Sequence, residues 1–177
     1  MFFSSLRRAE VKKWQEPTDF AGLKWGSVPK DLDGHNEIIA EGRCEDKVEE
    51  NGLRVCPAHL WLDDVRLGLT FYYVNQKLIG ISVGFASKDY DFIKRAFSSR
   101  YGSPHKQKQF AVKTRGGDQL MNEDLQWLGS KVTIRLLKYE EKSTAGAGQI
   151  YTPEFVVHLL RRDAEEGKKA AEAGKKF

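Results

Sequence analysis

Several features that would assign a function are missing from this sequence. Its 177 residues contain no apolar run of the roughly 18 residues that a membrane-spanning helix requires. The chain holds only 4 histidines and 2 cysteines. It matches no G-x-S-x-G nucleophile elbow, no G-x-x-x-x-G-K-[ST] phosphate loop and no dinucleotide-binding fingerprint. The sequence therefore lacks the signatures of common hydrolases, P-loop proteins and dehydrogenases. We expect no cofactor, and we lean against an enzyme.

A secretory signal pattern is also lacking. The apolar stretch before Arg7 is shorter than the hydrophobic core of a signal peptide. As written, the chain predicts a cytoplasmic protein, or a periplasmic or secreted one if a natural leader was removed.

Acidic residues are absent between Asp91 and Asp118, although the formal net charge of the chain is only +4. We call residues 94–115 the basic segment, and its cations are Lys94, Arg95, Arg100, Lys106, Lys108, Lys113 and Arg115. Cations interleaved with aromatic residues are typical of surfaces that bind phosphates and stack bases. Nucleic-acid binding is therefore one hypothesis, and a plain solvated face is the alternative, because Phe97 and Tyr101 are also needed for packing.

The clearest structural pattern covers residues 65–104. Apolar residues alternate with polar or small ones over residues 65–73 and again over residues 79–85, which predicts two strands joined by a turn at residues 75–77. Gly80, Ser82 and Gly84 leave one strand face small enough for another element to lie close. An apolar stripe then predicts a helix over Ser87–Tyr101, with Ser87 as its N-cap and Gly102 at its end.

Weaker patterns complete the predicted fold. Short strands are expected at residues 38–40, 53–62 (interrupted by Pro57), 109–114, 119–121 and 132–136, and residues 143–148 are interpreted as a flexible linker. Thr152 and Pro153 are typical of a helix start. The fold class is α+β, with a mostly antiparallel sheet of about five strands, one packed helix and a C-terminal helix. We divide the chain into an arm (1–18), a single domain (19–160) and a charged helical tail (161–177).

The two cysteines leave three alternatives open. Cys44 and Cys56 could be free thiols in a reducing cytosol, or a disulfide that closes the loop through Asn51 and Gly52. With His35 and His59 they spell H-x8-C-x11-C-x2-H, which could hold zinc, although this spacing is not that of a standard knuckle.

Carboxylate pairs occur at residues 63–64, 123–124 and 140–141. General acid/base chemistry requires one carboxylate in an apolar pocket. We interpret these pairs as solvated residues of loops and strand ends, so no catalytic residue is predicted.

Three short motifs together resemble a loose group of small, mostly exported bacterial proteins of unknown function. They are the Phe20-Ala-Gly-Leu-Lys-Trp-Gly26 turn, the strand pair from Phe71 to Phe85, and the Arg100-Tyr-Gly-Ser-Pro104 helix end. The resemblance spans most of residues 19–152. It implies a compact sheet with one packed helix, like the small domains of envelope assembly factors or of protease and lactamase inhibitors, and it supplies no active-site residues.

The function predicted from these patterns is a non-enzymatic protein-binding module of the assembly, inhibitor or accessory type. Its expected contact residues are Tyr72, as an exposed aromatic on the sheet, and the cations of the basic segment. The alternatives are nucleic-acid binding through residues 94–115 and a zinc-supported domain.

Overall fold

A computed structural model describes residues 14–42, 44, 52–113, 117–140 and 144–174 of the chain. The described strands are β1 (Asp19–Phe20), β2 (Leu23–Lys24), β3 (Ile39–Ala40), β4 (Leu53–Leu62), β5 (Val65–Val74), β6 (Lys77–Ala86), β7 (Lys106–Lys113), β8 (Gln119–Leu128), β9 (Thr133–Leu137) and β10 (Ala145–Tyr151). The helices are α1 (Pro29–Asp33), α2 (Tyr90–Tyr101) and α3 (Pro153–Gly174).

The described part of the chain forms an α+β fold around one large antiparallel sheet. Its strand order is β3-β4-β5-β6-β10-β9-β8-β7, and β1 with β2 makes a separate small hairpin. Two meanders, β3 to β6 and β7 to β10, are therefore joined side by side through the β6–β10 pair. The α+β prediction is confirmed, but the main sheet has 8 strands rather than about five.

The number of strands is underestimated because some strands have an unusual composition. Residues 123 and 124, interpreted as a loop, lie in the middle of β8, and β10 begins with the Ala145-Gly-Ala-Gly148 run that was interpreted as a linker. Gly146 and Gly148 belong in a strand because large side chains of neighbouring strands fill the space beside them: a Cβ at Gly146 would overlap the ring of Phe85, and one at Gly148 would lie 3.3 Å from Val83. Neither strand shows the simple alternation on which the prediction depended.

The core lies between one face of the sheet and a layer made of α2 and residues 14–40. We call this sheet face the inner face. Phe71, Ile81, Trp127 and Ile134 lie on it and are almost fully buried, together with Ile93 of α2. Phe20 of the small hairpin also packs on this face, with its ring centroid 6.4 Å from that of Phe71.

Helix α2 forms where its apolar stripe predicts, but it begins later than predicted. Ser87 lies in a short 3-10 turn, Asp89 occupies the N-cap position, and no side chain caps the first turn. The predicted Ser87 cap is therefore wrong. The predicted end is confirmed, because Gly102 follows the helix at φ +84°, a conformation that favours glycine.

The start of α3 packs on part of the opposite face of the sheet, which we call the outer face. Phe155 lies over Gly80, where an added Cβ would be 3.0 Å from the ring, so the small residue predicted to admit a close neighbour does so. Strand β4 passes through Pro57 without a break, and the carbonyl of Pro57 accepts a hydrogen bond from Glu41 near the sheet edge. None of the described helices is both long enough and apolar enough to cross a membrane.

Candidate functional site

An apolar cleft opens where the β4–β5 hairpin passes the C-terminal half of α2 and the β1–β2 turn. We call it the Trp61 cleft, and its volume is about 360 Å³. Its apolar lining includes Phe20, Leu60, Trp61, Leu62, Phe97 and Tyr101. These side chains come from three separate elements, each held by the core beneath them.

The hairpin geometry explains why Trp61 is accessible. Strand β3 pairs only with Ala58 and His59, so the last residues of β4 extend past it toward the turn at residues 63–64. Leu60 lies opposite Leu67 and turns inward, whereas the side chain of Trp61 is 53% exposed. A large indole is thus held on a rigid strand and left in contact with solvent.

Two charged residues, Glu37 and Arg100, lie among the residues that line the cleft. Arg100 lines the cleft and donates a hydrogen bond of 2.8 Å to Asp19, and the exposed Glu37 also lines it. Burial raises the pKa of Tyr101, so its phenol is neutral at physiological pH. An apolar centre with a charged rim is the usual anatomy of a protein interface.

The structure divides the basic segment among different surfaces. Lys94 is paired with Glu123 at 2.8 Å, and Arg100 with Asp19 at the same distance. Lys108 lies opposite Asp124 on the outer face, and Lys106 shares that face. Arg95 is exposed on α2 and Lys113 at the end of β7, whereas Arg115 lies outside the described residues. The described cations of the basic segment are therefore divided between α2 and β7, and some of them are already paired with carboxylates.

The inner face carries an unexpected buried carboxylate, Glu123, with hydrogen-bond donors around it. This side chain accepts hydrogen bonds from the Tyr90 hydroxyl (2.7 Å), Lys94 Nζ (2.8 Å) and Gln107 Nε2 (2.7 Å). Burial raises the pKa of Glu123, but these donors outweigh burial and hold its pKa below the usual value. A carboxylate that is ionised and saturated with donors is suited to stabilising β8 against α2 and poorly suited to accepting a proton.

Asp124 points to the outer face and is equally well satisfied. Arg135 contacts it through Nε at 3.1 Å and Nη2 at 2.9 Å, which is a two-point interaction between adjacent strands. The hydrogen bond to Asp124 raises the pKa of Arg135 above its usual value. The Glu123-Asp124 pair thus consists of two separate structural ion pairs on opposite faces of β8.

Tyr72 is half-buried rather than exposed. Its ring lies 5.0 Å from that of Phe155, measured between centroids, and its hydroxyl is 3.3 Å from Ser82 Oγ. The predicted binding role of Tyr72 therefore applies to a residue that already packs against α3.

The cysteines are joined to each other as a disulfide, which is one of the three alternatives. Cys44 and Cys56 have Cα atoms 5.3 Å apart, and both are buried. His59 lies 3.4 Å from Glu41, and the His35 ring nitrogen accepts hydrogen bonds from backbone amides. The described residues contain no group of three or more His, Cys, Asp or Glu side chains that could hold a metal.

Trp61 is the residue that sequence reasoning missed. The sequence offers one signal for it. Trp61 lies between Leu60 and Leu62, directly before the Asp63-Asp64 turn, so a large aromatic residue occupies the polar side of a strand at the end of a hairpin. Comparison of this chain with protein-family models, with curated proteins and with solved structures gave no match.

Proposed function

We propose that this protein is a non-enzymatic protein-binding module that receives an apolar side chain of its partner in the Trp61 cleft. The observation that carries the proposal is an apolar cleft whose lining includes Trp61, a tryptophan that is 53% exposed. Tryptophan is among the residues that dominate binding energy in protein interfaces, especially near a desolvated centre.

The dimensions of the cleft limit what it can bind. A volume of about 360 Å³ lies near the lower end of the range for ligand pockets. Such a cleft accommodates one or two large side chains rather than an extended cofactor. We therefore expect a partner segment with an aromatic or aliphatic anchor, flanked by polar residues that face Arg100 and Glu37.

A random-peptide display selection tests this proposal with a defined probe. Peptides selected on the wild-type protein should share an apolar anchor, and Trp61→Ala should weaken their binding by about 30-fold or more, the effect of removing an interface hot spot. Calorimetric titration of a selected peptide measures this change.

Met121→Ala is the matched control, because Met121 is also a large exposed apolar side chain, at 60%, but lies on β8 away from the cleft. This control should leave the affinity unchanged. Selected peptides that bind Trp61→Ala as tightly as the wild type, or a selection that enriches no anchor, would overturn the proposal.

A further inference from the structure

Most of helix α3 stands clear of the sheet. From Leu160 to Glu172, every residue whose side chain is described is exposed. The helix has 22 residues and is therefore about 33 Å long, but only its first turns pack on the outer face. Isolated helices of roughly 12–15 residues are marginal in water. A partner packed along the projecting part of α3 would stabilise this part of the helix, which the rest of the chain does not.

One stripe of the helix has the spacing of a two-helix seam. Its residues follow one another in alternating steps of three and four: Val157, Leu160, Ala164, Gly167, Ala171 and Gly174. This is the apolar repeat of a coiled coil. Val157 is 44% exposed and Leu160 is 64% exposed, so the large apolar members of the stripe are free to contact a partner.

Small residues form the rest of the stripe. Among the described residues, no atom outside the helix lies within 4 Å of the position that a Cβ would occupy at Gly167. A second helix could therefore approach the backbone of α3 closely at this point.

The charges beside the stripe indicate which partner fits it. Asp163 lies on one edge of the stripe and Lys168, five residues later, on the other. In two parallel helices with the same sequence, these two edge positions face each other across the seam, once on each side of the dimer. Asp163 of one copy would then pair with Lys168 of the second copy, and the reverse.

An antiparallel pair would have no such advantage. It would bring Arg161 and Lys168, which share one edge of the stripe, against each other across the seam. Within its own helix, Asp163 lies 3.4 Å from Arg162, which also reaches Glu166 at 3.7 Å. Arg162 thus keeps a second acceptor when Asp163 turns toward a partner.

We propose that α3 pairs in parallel with α3 of a second copy of this chain, making the protein a homodimer. The seam has only two large apolar residues, so the interface falls below the standard size for stable complexes and the dimer is concentration-dependent. Sedimentation velocity over about a hundredfold range of protein concentration should show monomer converting to dimer. A monomer throughout that range would overturn the proposal.

Charge exchange tests the pairing itself. Asp163→Lys and Lys168→Asp alone should each weaken dimerisation by about tenfold or more, since each places like charges together at both symmetric positions. The double variant, which exchanges the two charges, should restore the wild-type dissociation constant. Glu165→Lys, the same kind of change at a position turned away from the seam, should have no effect.

A cross-link tests the orientation. Cys44 and Cys56 are bonded to each other, so Ala171→Cys introduces the only free thiol. Parallel helices place the two new thiols together, and a mild oxidant should join the copies covalently. Dimers that sediment normally but fail to cross-link, or a double charge variant that does not recover, would overturn the parallel arrangement.

Two further variants distinguish the dimer proposal from the proposed function of the Trp61 cleft. Leu160→Asp should abolish dimerisation while the circular dichroism of the domain is retained, because Leu160 is mostly exposed. Trp61→Ala should not change the dimer dissociation constant. The failure of either proposal therefore leaves the other standing.

Discussion

At the scale of single residues, Glu123 shows how a charge is retained on the core side of a sheet. Removing a carboxylate from water is unfavourable unless its oxygens receive hydrogen bonds. Tyr90, Lys94 and Gln107 supply these bonds from α2 and β7. The carboxylate thereby connects the helix to two strands near the sheet edge.

Glu123→Gln should lower the free energy of unfolding at neutral pH by about 1–3 kcal/mol, because the ammonium of Lys94 loses its negatively charged partner. The folded-state pKa of Glu123 is depressed, so its contribution is present above the unfolded-state pKa of about 4.3 and is lost as the pH falls through the folded-state value. Urea titrations at pH 7 and at progressively lower pH measure the free energy of unfolding of the wild type and of the variant. The wild type should lose more stability than the variant on acidification, and equal losses would contradict the assignment.

Two strand glycines with different surroundings provide a second residue-scale prediction. Gly146 faces the ring of Phe85 on the inner face, whereas a Cβ at Gly84 would meet only the carbonyl of Gly68 at 3.9 Å. Gly146→Ala should therefore destabilise the protein by about 1–3 kcal/mol through overpacking. Gly84→Ala should be neutral or slightly stabilising, because alanine restricts the unfolded chain. Thermal unfolding of the two variants provides the comparison, and equal melting temperatures would contradict it.

At the scale of elements, the disulfide fastens the chain before β4 to the middle of that strand. Cys56 lies opposite Phe71 in the core, and the backbone amide of Cys44 is held by Asp33 at 3.0 Å. Closing a loop of this length removes disorder from the unfolded chain, which stabilises a protein by about 2–4 kcal/mol.

Reduction, or the Cys44→Ser/Cys56→Ser variant, should lower the free energy of unfolding by that amount. Denaturant titration with and without reductant measures the effect. A thiol titration under denaturing conditions should find no free thiol before reduction and both thiols after it. Two free thiols in the unreduced protein would show that the bond is not formed.

Elements with regular periodicity could be predicted from the sequence, and the others could not. The β5–β6 pair, the body of α2 and the start of α3 each show a clear stripe or alternation, and all three form as predicted. β8 carries Asn122, Glu123 and Asp124 at buried positions, where only tertiary hydrogen bonds make them acceptable. No local pattern reveals such partners.

The Trp61 cleft was equally hidden from sequence reasoning. Leu60 and Phe97 line it from β4 and α2, which are distant in the chain, and the path of the whole sheet decides that they meet. For the cations of residues 94–115, closeness in sequence does not predict closeness in the structure. They are close in sequence, but a helix and a strand distribute them over different surfaces.

At the scale of the whole molecule, α3 is continuous although its surroundings change along its length. Phe155 packs against Tyr72 and Tyr151, whereas beyond Leu160 every residue up to Glu172 whose side chain is described is exposed. The first part should contribute to the stability of the domain, and the second part should not.

Ending the chain after Leu160 should therefore change the melting temperature of the monomer by less than about 2 °C. Phe155→Ala in the full chain should lower the free energy of unfolding by about 1–2 kcal/mol, because a half-buried ring is lost. Calorimetry at low protein concentration separates the two effects. A large loss on truncation would show that the projecting helix has contacts within its own domain.

The position of β7 at the end of the sheet has one more consequence. Its outer backbone edge is not covered by a neighbouring strand among the described residues, and its sequence is KQKQFAVK. An open strand edge is a template for aggregation, and lysines on such an edge oppose the addition of foreign strands. We therefore expect Lys106, Lys108 and Lys113 to oppose the addition of a foreign strand at this edge. Replacing all three by threonine should leave the folded state intact but accelerate thioflavin-positive aggregation, most strongly where salt already screens charge.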